Sequence, residues 1–194
     1  GHPNVVVAHP GVHAVATPAR PEPVAASHAA APARLVLLYP ALPRVFKNLE
    51  VLCEAVAHLP AAVAQRLVLR FTVDGSENRY AHELVQRHGG VPGLEFIGRQ
   101  NRQQMAAQYA QCDVVLFPSK LETWGLPITE AKALGKPLLV ADLPYAREAV
   151  GDYDAVTFLP TGDAQAWAAA LQGLVDGHWQ HAGHVAVEPA QPYA

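Results

Sequence analysis

The chain has 194 residues, 51% of them hydrophobic, and a formal net charge of −3. That length buries one respectable core, no apolar run approaches the roughly 18–20 residues that span a bilayer, and the mildly acidic balance lacks the basic surface of a non-specific nucleic-acid binder. Two cysteines, Cys53 and Cys112, make no disulfide framework and fit a reducing compartment, the cytoplasm.

The chain opens Gly1-His2 rather than with Met and shows no charged-then-apolar leader, so it reads as part of a longer protein. Residues 5–13 suggest a short strand and turn. Residues 14–33 hold nine Ala and four Pro, little to bury and much to interrupt regular structure, so they read as a linker. The compact domain is expected over residues 34–177. A strand is expected at 35–39. An amphipathic helix follows at 48–59, with Leu49, Leu52, Val56 and Leu59 at helical spacing. A second strand at 67–73 ends at Asp74-Gly75, and a polar helix at 77–88 is closed by Gly89-Gly90. A third strand is expected at 94–97 and a helix at 101–110 with Asn101 as N-cap. The fourth strand, 113–117, leads to a helix that opens at Pro127 and stops at Gly135. A strand at 138–140, a short helix at 144–150, a strand at 156–159 and a helix capped by Asp163 complete the domain. Residues 178–194 read as a tail. Buried-looking strands alternating with helices predict a doubly wound parallel α/β sheet, Rossmann-like.

The most informative stretch is Pro118-Ser119-Lys120-Leu121-Glu122-Thr123-Trp124-Gly125-Leu126-Pro127-Ile128-Thr129-Glu130-Ala131. An apolar strand runs into a loop carrying a carboxylate and a glycine, and a helix then opens at a proline. Loops of this kind lie at the carboxyl edge of a parallel sheet, where such folds bind ligands. Backbone amides of Trp124, Gly125 and Leu126 near a helix N-terminus suit a phosphate, because first-turn N–H groups lack intrahelical partners. Glu122 and Glu130 would repel a phosphate they faced, so they read as acceptors for hydroxyls on either side of it: a sugar, a diphosphate and a ribose in a row. The plain alternative is two solvated acids, with Glu130 favoured by the dipole of a first helical turn.

The order Pro118, Ser119, Glu122, Gly125, Pro127, Glu130, Ala131, Ala133, Gly135, Pro137 resembles the donor-sugar signature of the retaining glycosyltransferases of family 4, which have two Rossmann-like domains in the GT-B architecture. The family's usual Glu-Gly-Phe-Gly is here Glu122-Thr123-Trp124-Gly125: Trp124 keeps the aromatic position, and Thr123 gives up a flexible glycine. Upstream, Lys47-Asn48 matches the family's Lys-Gly or Lys-Asn, with Arg44 closer to the lysine than is common. Tyr145, Glu148 and Gly151 fit the following stretch. The resemblance covers about residues 35–176 and implies the C-terminal, donor-binding half of such an enzyme, with residues 1–33 ending its N-terminal domain.

The resemblance implies that Glu122 holds hydroxyls of the donor sugar and Glu130 those of the ribose. Arg44 and Lys47 would grip the diphosphate, where fixed cations stabilise the charge left when the sugar–phosphate bond breaks. With Glu122 they form the implied catalytic set. Thr123, Trp124, Gly125 and Leu126 would line the donor, and Gly98 and Arg99 would seat the base, Arg99 stacking on it. The implied reaction moves a hexose from UDP- or GDP-hexose to an acceptor hydroxyl with retention, in bacterial surface polysaccharide synthesis. No metal cofactor is expected: the fixed cations and the helix dipole take its place, and His178, His181 and His184 lack a carboxylate or thiolate to complete a set. The expected partner is an N-terminal acceptor domain, without which the chain binds nucleotide weakly and transfers nothing. The implied location is cytoplasmic, the full-length enzyme associating peripherally with the inner face of the membrane.

Three other readings are weaker. A non-catalytic nucleotide-sugar binding module would keep Glu130 and Lys47 without needing a second domain. A nucleotide-sugar epimerase or phosphorylase carries a different pattern at the Glu122 loop. A phosphoryl-accepting receiver would use Asp74 with Ser119 and Lys120, but Tyr39-Pro40 stands where its acidic pair belongs. The absence of Gly-x-Gly-x-x-Gly argues against a dinucleotide oxidoreductase.

Overall fold

The computed structural model describes residues 34–178; the expected linker, the tail beyond His178, and His181 and His184 with it, lie outside them. Six strands form one parallel sheet: β1 (Leu35–Tyr39), β2 (Leu67–Phe71), β3 (Leu94–Phe96), β4 (Val114–Phe117), β5 (Leu138–Ala141) and β6 (Val156–Leu159). Their order is β3-β2-β1-β4-β5-β6, that of a doubly wound sheet built outward from its centre in two directions. All four residues of β4 and all four of β5 are buried. Helices cover both faces of such a sheet, which is why these strands are continuous apolar runs and not alternating ones.

The helices are α1 (Leu49–His58), α2 (Ala61–Ala64), α3 (Arg79–His88), α4 (Arg102–Gln111), α5 (Leu126–Ala133), α6 (Pro144–Val150) and α7 (Ala164–Val175). α1 buries Leu49, Leu52 and Val56, α7 buries Trp167 and Leu171, and the two helices pack together. Arg66 reaches the C-terminal end of α7, donating to Val175 O at 2.7 Å and to Asp176 at 3.3 Å. A cation belongs there, against the negative end of the dipole.

The structure sharpens several boundaries. The helix expected from residue 48 begins at Leu49, behind a 3-10 turn at Val45–Lys47, and the junction is Asn48 in the left-handed region (φ 57°, ψ 42°). α3 begins at Arg79 rather than 77, because Asn78 is its cap and Glu77 is turned back to accept from Asp74 N and Gly75 N at 3.0 Å each. β2 ends at Phe71, short of the expected residue 73; just beyond it the Thr72 hydroxyl ties to Ala41, accepting from its N–H at 2.9 Å and donating to its carbonyl at 3.0 Å. α2 is one turn after Pro60, too short for periodicity to reveal. Asn101 caps α4 with a reciprocal bond from Gln104, and Asp163 caps α7.

Sheet order is what locates a site. The chain moves outward from β1 to β2 and β3, returns to lay β4 beside β1, then moves the other way. The connections leaving the carboxyl ends of β1 and β4 therefore part company and leave a crevice at that edge. Lys47 stands in the first connection and Glu122 in the second.

Candidate functional site at the carboxyl edge of the sheet

The crevice is spanned by an ion pair. Lys47 Nζ lies 2.5 Å from Glu122 Oε1, with the two side chains only 16% and 11% exposed. The same ammonium lies 5.7 Å from the ring centres of Phe46 and Phe117, so aromatic faces flank it. The sequence assigned these two residues to different parts of a ligand; the structure joins them directly. One N–H of the ammonium is used by Glu122 and one carboxylate oxygen by Lys47, which leaves each group capacity for a ligand.

Side chains and one amide stitch the two loops together at their backbone carbonyls. Phe46 O accepts from Lys120 N at 2.7 Å and from Ser119 Oγ at 3.3 Å. Tyr39 OH donates to Lys47 O at 2.7 Å, and Tyr145 OH, from α6, donates to Ser119 O at 2.5 Å. Asn48 Nδ2 donates to Pro118 O. Burial, and then the charge of Glu122, push the Tyr39 and Tyr145 hydroxyls well above the usual phenol range. Both therefore remain donors, which is what holding a carbonyl requires.

Gly125 caps α5 with φ 58°, ψ 41°, and a Cβ there would lie 3.3 Å from Ile128 Cδ1. Its twist turns the loop into the helix. Pro127, second in the helix, has no N–H to satisfy, while Ile128 N returns to Gly125 O at 2.8 Å. Among the described residues the N–H groups of Gly125 and Leu126 have no acceptor. They are the orphan donors that an anion can use at a helix start. Thr123 and Trp124 are exposed beside them.

Glu130 stands apart from the ion pair. It lies in the second turn of α5, not the first, so the dipole argument for an ordinary surface acid does not apply. Tyr109 OH, from α4, donates to its Oε2 at 2.7 Å. Tyr109 is buried, and burial followed by the charge of Glu130 keeps its hydroxyl protonated.

Arg44 and Arg99 are exposed, and neither forms an ion pair among the described residues. Arg99 lines a groove of about 200 Å³ over the ends of β1, β2 and β3 with Pro40, Leu42, Thr72, Gln100 and Met105. Gly98 is fixed beneath it: φ is 70° and a Cβ would stand 2.7 Å from Asp74 Oδ2. That contact places Asp74 in a loop against Gly98, not in a receiver-type acidic cluster, and no group of three or more metal-ligating side chains occurs among the described residues. The chain contains one Asp-x-Asp, Asp152-Tyr153-Asp154, against the expectation of none. It joins α6 to β6 at the amino edge of the sheet, opposite the crevice.

Sequence reasoning missed Tyr39 and Tyr109, and placed Asn48 and Tyr145 in the family pattern without giving either a role. The signal for the tyrosines was faint but physical: a tyrosine on an apolar strand or helix face buries its ring and must find a partner for its hydroxyl. The large apolar side chains that remain exposed among the described residues are Leu42, Val45, Phe46, Leu121, Trp124 and Leu126. All six stand in the connections after β1 and β4 or on the first residue of α5, as a rim to the crevice.

These features have counterparts in known proteins. Residues 23–186 match the family described as glycosyl transferases group 1. A D-inositol 3-phosphate glycosyltransferase of Corynebacterium aurimucosum is 32% identical over 158 residues, 77% of this chain and 37% of that protein. An O-antigen chain mannosyltransferase B of Escherichia coli is 30% identical over 135 residues, 69% of this chain and 35% of that protein. The chain thus spans a little over a third of the length of these curated relatives. Among solved structures, the sucrose-phosphate synthase of Thermosynechococcus elongatus superposes with TM-score 0.61 at 27% identity, over 75% of this chain and 37% of that one. The Anabaena protein HepE in complex with UDP-glucose superposes with TM-score 0.63 at 23% identity, over 75% of this chain and 40% of that one, a likeness of fold. The chain belongs to the group 1 glycosyl transferases.

Proposed function

We propose that this chain is the donor-binding half of a two-domain retaining hexosyltransferase that takes its sugar from a nucleoside diphosphate. The observation that carries the reading is the Lys47–Glu122 pair beside the unused amides of Gly125 and Leu126, at the switch point of the sheet. The diphosphate sits on those amides and on the N–H groups that Lys47 does not give to Glu122, with Arg44 reaching in from its exposed position. Glu122 uses its second oxygen for sugar hydroxyls. Glu130, steadied by Tyr109, accepts from the ribose. The groove under Arg99 takes the base.

When the bond between the sugar and the diphosphate breaks, its electron pair leaves with the diphosphate. Lys47 and the α5 amides are already in place for that charge. One oriented donor to a developing oxyanion is worth roughly 3–4 kcal/mol. The reading uses no metal, because an ammonium, a guanidinium and a helix N-terminus fill that role. HepE was solved with UDP-glucose, which supports a nucleoside-diphosphate hexose, UDP- or GDP-linked, as the donor class for this chain. The apolar rim around the crevice supports an acceptor domain facing it. The O-antigen relative supports surface polysaccharide as the product, made at the cytoplasmic face of the membrane; among the described residues no helix is long and apolar enough to cross one.

The test is to assay this chain and the longer protein that contains it with radiolabelled UDP- and GDP-hexoses. Transfer by the longer protein only is expected. Robust transfer by this chain alone would sink the two-domain reading.

A further inference from the structure

We infer that the side-chain amide of Asn48 is the latch that sets Lys47 and Glu122 in register, which makes Asn48 a positioning residue of this site. The consequence for donor binding rests on the function proposed above; the latch itself does not.

Asn48 is the one non-glycine residue with positive φ among the described residues, at 57°. Glycine would take that conformation without strain, and asparagine tolerates it better than most side chains. What asparagine adds is a carboxamide. The residue is 4% exposed, and its amide nitrogen commits both donors: to Pro118 O at 3.1 Å and to Thr161 O at 2.8 Å. Pro118 begins the loop that carries Glu122, Lys47 directly precedes Asn48, and Thr161 lies between β6 and α7. One amide therefore ties together the connections leaving β1, β4 and β6.

The arrangement is local to the carboxyl edge. Both acceptors of the amide are loop carbonyls, and α1 holds to the core through Leu49, Leu52 and Val56, none of which needs the amide. Beside it, Lys120 N and Ser119 Oγ both donate to Phe46 O, so the segments on either side of the ion pair form one bonded unit with Asn48 at its buried end. Taking the amide away frees the buried carbonyl of Pro118 and the half-buried one of Thr161, and leaves the loops to the contacts through Phe46 O and Lys47 O.

Two substitutions separate the amide from the backbone twist. Asn48→Gly keeps the left-handed conformation and removes both donors. Asn48→Asp keeps the shape and sets a carboxylate oxygen against the carbonyls. Amide hydrogen exchange of the whole chain without ligand is followed at Lys120, whose N–H bonds Phe46 O, together with melting and titration with UDP and with GDP. We expect exchange at Lys120 to quicken about tenfold in both variants, and nucleotide affinity to fall by a similar factor, the size of one or two lost hydrogen bonds. The Gly variant should melt within a few degrees of the parent. Unchanged exchange at Lys120 in Asn48→Gly overturns the latch, as does an equal loss of protection in β1 and β5, which would make Asn48 an ordinary residue of the fold. Faster exchange with unchanged affinity overturns the positioning role. If neither the parent chain nor the longer protein containing it binds either nucleotide, the donor reading fails, and the exchange at Lys120 still decides the latch.

Discussion

The Lys47 ammonium and the Glu122 carboxylate meet at 2.5 Å across the crevice between β1 and β4, the two central strands whose connections run to opposite ends of the sheet. The pair does two things at once. It holds a cation in the crevice and, in the function proposed above, would keep the carboxylate from facing a phosphate as an uncompensated charge. Removing one partner from so shielded a pair leaves the other poorly solvated, so Glu122→Ala should lower stability by roughly 1–3 kcal/mol. It should also split binding in a diagnostic way. Nucleoside diphosphate alone should bind as well or better, because Lys47 is released to it, while the diphosphate sugar should lose about tenfold relative to the parent. Calorimetry with both ligands on one variant reads the split.

Tyr109 and Glu130 make a second, separable relationship. Tyr109→Phe removes the hydroxyl that donates to Glu130 Oε2 and leaves the ring in its packing. The expected cost is roughly 1 kcal/mol in stability and, if Glu130 receives the ribose, up to about tenfold in nucleotide affinity. A 2′,3′-dideoxy nucleotide should bind parent and variant alike, since it offers Glu130 nothing to accept.

How much of this was legible beforehand divides along physical lines. β4 and β5 were plain because strands buried on both faces leave unbroken apolar runs. Asn101 and Asp163 were plain because caps are local chemistry. The loop between Pro118 and Glu130 was legible because glycine and proline have backbone reasons to be there: Gly125 does take the left-handed twist, and Pro127 does sit where no N–H is needed. The bonds from Tyr109 to Glu130 and from Tyr145 to Ser119 were not legible, because they join residues 21 and 26 positions apart through tertiary packing. Nor was the pairing of Lys47 with Glu122, 75 positions apart, which exists only because β1 and β4 are neighbours. The start of α3 was misplaced for a smaller reason of the same kind: Glu77 spends its carboxylate on a turn instead of a helix.

Gly125→Ala probes the loop from the backbone side. An alanine at φ 58° pays the left-handed penalty, roughly 1–2 kcal/mol, and its methyl meets Ile128 Cδ1 at 3.3 Å. The melting temperature should fall, and diphosphate affinity should fall further than stability alone explains, because the orphan amides shift with the twist. Gly162→Ala, in open space, serves as the control and should do neither.

The two thiols test the core. Burial pushes Cys53 up to about 12 and Cys112 up to about 11. Only a thiolate attacks a disulfide reagent, so at pH 8 the folded chain should react with neither, and both should titrate at once in denaturant. Raising the pH toward 10 should change little in the native state, as both folded values lie above it. Rapid reaction of either cysteine in the native chain would contradict the placement of α1 or of the turn before β4.

The central claim is that the carboxyl edge at the β1–β4 switch point is a nucleoside-diphosphate site, and the most direct measurement is a calorimetric titration of this chain with UDP and, separately, GDP, repeated with Lys47→Ala and Glu130→Ala. The account predicts weak but saturable binding of one nucleotide in preference to the other. Lys47→Ala should weaken the diphosphate much more than the nucleoside monophosphate, and Glu130→Ala should weaken both equally. Binding that survives both substitutions, or that is absent from a folded chain and also from the longer protein containing it, would contradict the account.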